Sequence, residues 1–141
     1  MNGLRNRRSA EAVRQLLAYA AVGVVNTGVG YGIIFASMYL FGLGPVLSNA
    51  LGYAIGVVVS YFLNRTFTFR SSAASKREFA RFVSILLLAY AANLAVLVAL
   101  LDHTATHKGV AQVLAGIVYF AVSFVLSKYY AFAAGQQAPK P

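Results

Sequence analysis

Two segments 63 residues apart are versions of one another: Ser60-Tyr61-Phe62-Leu63-Asn64-Arg65-Thr66-Phe67-Thr68-Phe69 and Ser123-Phe124-Val125-Leu126-Ser127-Lys128-Tyr129-Tyr130-Ala131-Phe132. The same offset, without a gap, sets Arg14 against Arg77 and Tyr19 against Phe82. Each copy holds two long apolar stretches, so the chain reads as a duplicated helical hairpin whose basic ends coincide. That constrains the fold more than any local motif does, because whatever one copy builds the other must build beside it.

The solvent of this fold follows from composition. Apolar residues make up 60% of the chain and charged residues 11%, against about 25% charged in ordinary soluble domains. A bilayer core needs roughly 20 apolar residues in helical form to span it. Four stretches qualify: Leu16 to Phe41, Val46 to Leu63, Phe79 to Leu101 and Val110 to Ser127. None contains Asp, Glu or Lys, and Arg81 lies in the first turn of the third, where its long side chain can reach the headgroups. The expected class is therefore all-α, a polytopic membrane protein of four transmembrane helices built from two parallel two-helix repeats. The expected divisions are a basic segment 1–13, a first repeat 14–70, a linker 71–76, a second repeat 77–133 and a tail 134–141. Within these 141 residues the bundle leaves no length for a catalytic domain, so no enzyme is expected.

Basic residues set the orientation, because short cytoplasmic segments are enriched in Lys and Arg. Arg5, Arg7, Arg8 and Arg14 precede the first span; Arg65, Arg70, Lys76, Arg77 and Arg81 flank the middle connection; Lys128 and Lys140 follow the last span. The other two connections hold only Lys108. Both termini and the middle loop are thus expected in the cytoplasm, with the two hairpin turns outside. The net charge of +9 reads as a membrane-lipid signature, and no nucleic acid is expected, since a reader of RNA or DNA would carry such charge on a soluble domain. With no Cys in the chain, thiol chemistry and thiolate metal sites are excluded.

Inside the spans, Gly28 with Gly32 and Gly52 with Gly56 form small-xxx-small pairs, and Ala91 and Ala95 repeat the first of them. Such spacing predicts close helix approach where lipid supplies no hydrophobic drive, and it also fits a homo-oligomer. Asn26, Asn49, Asn93 and Gln112 lie at membrane depth, where an unpaired amide costs several kcal/mol, roughly 4 to 8 at the extreme. Interhelical hydrogen bonds and a polar passage for a hydrophilic headgroup would both use them. The acids Glu11, Glu78 and Asp102 all fall at or beyond helix ends, which argues against proton coupling through a buried carboxylate. Asp102, His103 and His107 are close in sequence but lack a third strong ligand beside the two histidines, so no metal and no cofactor are expected.

The cytoplasmic foot of each second helix carries the chemistry. Around Asn64-Arg65 an amide, a guanidinium and two hydroxyls alternate with aromatics at headgroup depth. Arg grips phosphate oxygens with a planar fork and Lys meets them as a point charge, while the rings suit the interface and can stack on sugars or isoprenoid tails. A pseudo-two-fold axis would make Arg65 and Lys128 equivalent. Phosphate-binding candidates are Arg65, Asn64, Arg14, Arg81 and Lys128; ordinary anchoring suffices for Arg70 and Lys76.

These residues resemble a known family. Val22-Gly23-x-x-Asn26-Thr27, then Leu47-Ser48-Asn49-Ala50-Leu51-Gly52-Tyr53, then Asn64-Arg65-x-Phe67-Thr68-Phe69 after a helix, then Arg81-Phe82 and Asn93-Leu94, look like the GtrA-like family of small four-helix membrane proteins, from Gln15 to Phe132. In the second copy Ser127-Lys128-Tyr129-Tyr130-Ala131-Phe132 stands where that family more usually has Asn-Lys-x-Trp-x-Phe. The resemblance implies a plasma-membrane flippase of cell-surface polysaccharide synthesis. Such a protein moves a polyprenyl-phosphate-linked monosaccharide from the inner to the outer leaflet, where a membrane glycosyltransferase uses the sugar. Two other readings use the same features: a scaffold for that glycosyltransferase, and a small multidrug exporter, which would want an intramembrane acid.

Overall fold

The computed structural model describes residues 2–73 and 75–137; Lys140 lies outside the described residues, as does the side chain of Lys108. Among the described residues every regular element is a helix. They are α1 (Asn2–Tyr39), α2 (Pro45–Leu63) continued by a π-helical turn (Asn64–Thr68), α3 (Lys76–His103), α4 (Lys108–Leu126) continued by a second π-helical turn (Ser127–Ala131), and α5 (Ala133–Gln137). Four helices are long and apolar enough to cross a membrane, in the ranges Arg5–Tyr39, Leu47–Thr68, Lys76–His103 and Val110–Ala131. Large apolar side chains such as Leu17, Val24, Tyr39, Tyr53 and Leu87 are exposed on their surfaces. Water would penalise so much exposed apolar surface, whereas hydrocarbon accepts it; the chain is a multi-pass membrane protein.

Helix ends are set by local chemistry. At the end of α1, Gly42 takes a left-handed φ of 66°, the Leu43 N–H returns to the Ser37 carbonyl at 3.0 Å, and Pro45 opens α2 where its missing N–H costs nothing. Ser75 caps α3 by accepting the Glu78 N–H at 3.1 Å, which is half of the Ser-x-x-Glu capping pattern.

The chain divides between Arg70 and Ser71 into two compact units. In the first, α1 packs along α2. Gly52 makes the closest approach: a Cβ there would run into the Ile34 side chain and stand 3.0 Å from the Gly30 carbonyl. One turn further on, Gly56 leaves room for the Asn26 amide, 3.6 Å from where a Cβ would be. Close approach through Gly28 and Gly32 is not what this hairpin uses, since a Cβ at either would meet nothing within 4 Å. The reason is angular. The buried positions Gln15, Tyr19, Val22 and Ser37 put Asn26 and Gly30 on the seam, and a residue two positions away points about 200° round the helix.

In the second unit α3 packs along α4, with Ile85, Ala89, Ala111 and Ala115 buried. Each unit closes its base with a ring pair. Tyr19 and Phe69 lie 6.0 Å apart at 57°, and Phe82 and Phe132, their counterparts at the 63-residue offset, lie 5.7 Å apart at 55°.

Candidate functional site

Both π-helical turns begin at counterpart residues, Asn64 and Ser127. Each is closed by an i→i+5 bond: the Phe69 N–H donates to the Asn64 carbonyl at 2.8 Å and the Phe132 N–H to the Ser127 carbonyl at 3.0 Å. A π turn inserts one residue into the helical register and recurs at functional sites. Here it re-aims the residues that follow, among them Arg65 and Lys128.

In the first unit the turn is held by a ladder of side chains at i, i+4 spacing. The Thr68 hydroxyl, fully buried, donates to Asn64 Oδ1 at 2.9 Å, and Asn64 Nδ2 donates to Ser60 Oγ at 3.2 Å. The carbonyls at the end of the turn lack intrahelical partners and take them from α1. Arg14 Nη1 donates to the Phe67 carbonyl at 3.1 Å and Nη2 to that of Thr68 at 2.9 Å. Glu11 orients this guanidinium, accepting from Nε at 3.0 Å and from Nη2 at 2.7 Å, and Gln15 Nε2 reaches Glu11 Oε1 at 3.4 Å. Arg65 stands on the same turn, half-buried, with its Nε inside.

Of the residues expected to bind phosphate, Arg14, Asn64 and Arg65 thus come together at one foot. Their roles differ. Asn64 is 2% exposed and engaged on both sides of its amide, so it shapes the turn from within. Arg14 uses four of its five N–H groups on protein oxygens and acts as a clasp. Sequence reasoning passed over Ser60, Thr68 and Glu11 as partners; the 60/64/68 spacing on one helix face was the available signal for the first two.

The second unit carries Arg81 and Lys128. Arg81, half-buried, lies 5.1 Å from the centroid of the Tyr130 ring. Lys128 Nζ lies 5.5 Å from the Tyr129 ring and 6.0 Å from that of Phe124. The hydroxyl ladder is absent here. Ser123 Oγ turns back to the Phe120 carbonyl at 3.1 Å, position 131 is alanine, and Ser127 Oγ is buried with no hydrogen-bond partner among the described residues. Gln136 of α5 donates from Nε2 to Lys128 O within the turn at 3.1 Å and to Phe132 O just past it at 3.4 Å. Arg77, the counterpart of Arg14, is exposed; the counterpart of Glu11 is Ala74, so the carboxylate that orients Arg14 has no equivalent three residues before Arg77.

Of the membrane-depth amides, Asn26 is half-buried, its Oδ1 enclosed and without a hydrogen-bond partner among the described residues. Asn93 is half-buried, and Asn49 and Gln112 are exposed. Among the described residues no group of three or more His, Asp or Glu comes together as a metal centre would require.

Comparison with known proteins points the same way as this architecture. The chain is 30% identical over 59 residues to the prophage bactoprenol-linked glucose translocase homolog of Escherichia coli K12, covering 42% of this chain and 49% of that one. It is 28% identical over 65 residues to the bactoprenol-linked glucose translocase of Shigella phage SfII, covering 46% and 54%. To the bactoprenol-linked glucose translocase of Shigella flexneri it is 31% identical over 62 residues, covering 44% and 50%. The chain therefore spans about half the length of the curated relatives it matches. The profile of the GtrA/DPMS transmembrane domain covers far more, residues 18–132, taking in both hairpins and both π turns, and the chain belongs to the GtrA/DPMS transmembrane-domain family.

Proposed function

We propose that the chain carries a polyprenyl-phosphate-linked monosaccharide across the plasma membrane, from the inner leaflet to the outer, and performs no chemistry on it. The supporting observation is the first foot. A guanidinium, Arg65, is set on a π turn whose backbone is fixed from three directions, by Ser60, by Thr68 and by the Arg14 clasp. A preset cation at headgroup depth favours capture of a lipid phosphate, because little ordering remains when the anion arrives. The names of the relatives, translocases of bactoprenol-linked glucose, support the substrate class.

In this reading the termini and the foot face the cytoplasm, following the basic residues. Arg65 takes the phosphate, with Asn64 and Arg14 as its frame, and Arg81 and Lys128 supply further charge for lipid phosphates. The isoprenoid tail stays in hydrocarbon. The sugar needs hydrogen-bonding groups on the way, since each desolvated hydroxyl is costly. Asn26 supports such a role in the first unit, having in the apolar stretch an amide oxygen without a hydrogen-bond partner among the described residues; Asn49, Asn93 and Gln112 would add to the passage. Movement is downhill, drawn by consumption of the sugar outside by a membrane glycosyltransferase.

The test is delivery of labelled polyprenyl-phosphate glucose to the outer leaflet of liposomes holding only this protein. Wild type raises delivery above protein-free vesicles and Arg65→Ala, at equal incorporation, returns it to that background. Undiminished delivery by Arg65→Ala would remove the arginine from the mechanism, and background delivery by wild type would favour a scaffold.

A further inference from the structure

The turns of the two hairpins differ in kind. Position by position, Tyr39 corresponds to Asp102, Leu40 to His103, Phe41 to Thr104, Leu43 to Thr106 and Gly44 to His107. The second turn is thus polar apart from Ala105, and the side chains of residues 102–105 are exposed. Residues 15–64 of the first copy, by contrast, hold no Asp, Glu, Lys, Arg or His, so no charge at its turn calls for water. Tyr39 and Asp102 stand equally far along the chain from Arg14 and Arg77, and helix length does not explain the contrast.

The apolar side chains of the first turn nonetheless face outward. Tyr39, Leu40 and Phe41 are 75%, 78% and 74% exposed on their own hairpin. Its backbone polar groups are instead spent inward. With Gly42 reversing the chain through its left-handed φ, the N–H groups of Leu40 and Leu43 donate to the carbonyls of Ala36 and Ser37 at 2.9 and 3.0 Å. The Gly44 carbonyl takes the Ser48 N–H at 3.0 Å, and the Leu43 carbonyl takes the Ser48 hydroxyl at 3.5 Å. Pro45 has no N–H to satisfy. Backbone groups satisfied within the segment are what lipid demands and water does not. Tyrosine and phenylalanine beside leucine suit the level where acyl chains meet headgroups, which accepts apolar rings and a phenol tip together.

We infer that residues 39–44 lie among lipids, at the boundary of headgroups and acyl chains in the outer leaflet, while residues 102–107 stand in water. The surface that fits the first turn is a lipid surface: this hairpin stays in the bilayer at its far end, and the second emerges from it. The choice of leaflet rests on the orientation given with the proposed function; the depth does not.

Because the chain has no Cys, a single introduced thiol reports its own surroundings. Leu40→Cys and Ala105→Cys, both at positions exposed on their own hairpins, are placed singly in the full chain in phosphatidylcholine vesicles of low protein content, with a membrane-impermeant maleimide on both faces. Leu40→Cys should react at least about tenfold more slowly than Ala105→Cys, since large apolar side chains must leave lipid before the thiol meets water. A bimane fluorophore coupled to Leu40→Cys in detergent and then reconstituted should be quenched by phosphatidylcholine spin-labelled near its headgroup. Adding Phe41→Asp to Leu40→Cys should raise its rate to that of Ala105→Cys, because a carboxylate holds the turn in water. Equal rates for the two single variants, or no rise with Phe41→Asp, would overturn the inference. Slow reaction without quenching by the labelled lipid would overturn it as well, since a protein surface, a second copy included, would then cover the turn. In spheroplasts Ala105→Cys should react with maleimide added outside. Reaction only after lysis would overturn the outer-leaflet assignment together with the orientation, whereas failure of the depth measurements leaves that orientation standing. Unchanged elution and melting of each variant in detergent exclude misfolding as the cause.

Discussion

The first foot is clasped by side chains and the second by a helix. In the first, Arg14 reaches across from α1 to the last carbonyls of the π turn while Thr68, Asn64 and Ser60 hold it from within. In the second, the chain continues into α5 and Gln136 takes different carbonyls, those of Lys128 and Phe132. One backbone device, the π turn, thus occurs at both positions while its means of support differs. Each turn carries a basic residue at its second position, Arg65 in one and Lys128 in the other.

That comparison can be broken most directly at the two cations. Arg65→Ala should lower delivery of a loaded lipid by at least about a hundredfold, near 2.7 kcal/mol, and Lys128→Ala by less than about threefold in a single-turnover liposome assay. Equal losses would show the copies to be interchangeable. Next come the clasps: Arg14→Ala strands two carbonyls and Glu11, and should destabilise by about 1–2 kcal/mol in detergent unfolding, whereas Arg77→Ala should stay within about 0.5 kcal/mol. The seam gives a contrast of similar size, since Gly52→Ala forces Ile34 and the Gly30 carbonyl aside at about 1–2 kcal/mol, and Gly28→Ala meets no atom of the hairpin and should be neutral or slightly stabilising. Smallest are the inner hydroxyls. Thr68→Val should cost about 1 kcal/mol through the lost bond to Asn64, and Ser127→Ala, with no bond to lose, should be neutral or mildly stabilising by the same unfolding measurement.

Much of this architecture could be read from the chain. The 63-residue offset fixed which residues are counterparts, and the ring pairs Tyr19–Phe69 and Phe82–Phe132 repeat in space as they do in sequence. The four apolar stretches matched four long helices. The π turns were not legible, because inserting one residue into a hydrogen-bond register alters neither composition nor apolar pattern. Nor could spacing tell a ligand-facing arginine from a clasp: Arg14 and Arg77 look alike until Glu11 is seen to turn one of them toward a neighbouring helix end. The glycine pairs were ambiguous for a related reason. Small-residue spacing identifies a smooth helix face, but only the buried stripe through Tyr19, Val22 and Ser37 decides which face meets the partner.

Gly135 has a consequence for how the two ends of the second unit are tied together. With a hydrogen where a side chain would overlap Ser71, α5 comes close enough for Ser72 to donate both its N–H, at 3.2 Å, and its hydroxyl, at 3.1 Å, to the Gly135 carbonyl. The stretch that enters the unit is buttoned to the stretch that leaves it, between residues 63 positions apart. Gln136, the next residue, grips the backbone at Lys128. A short run of hydrogen bonds through Ser72, Gly135 and Gln136 thus joins the start of the second unit to the peptide group of Lys128 itself.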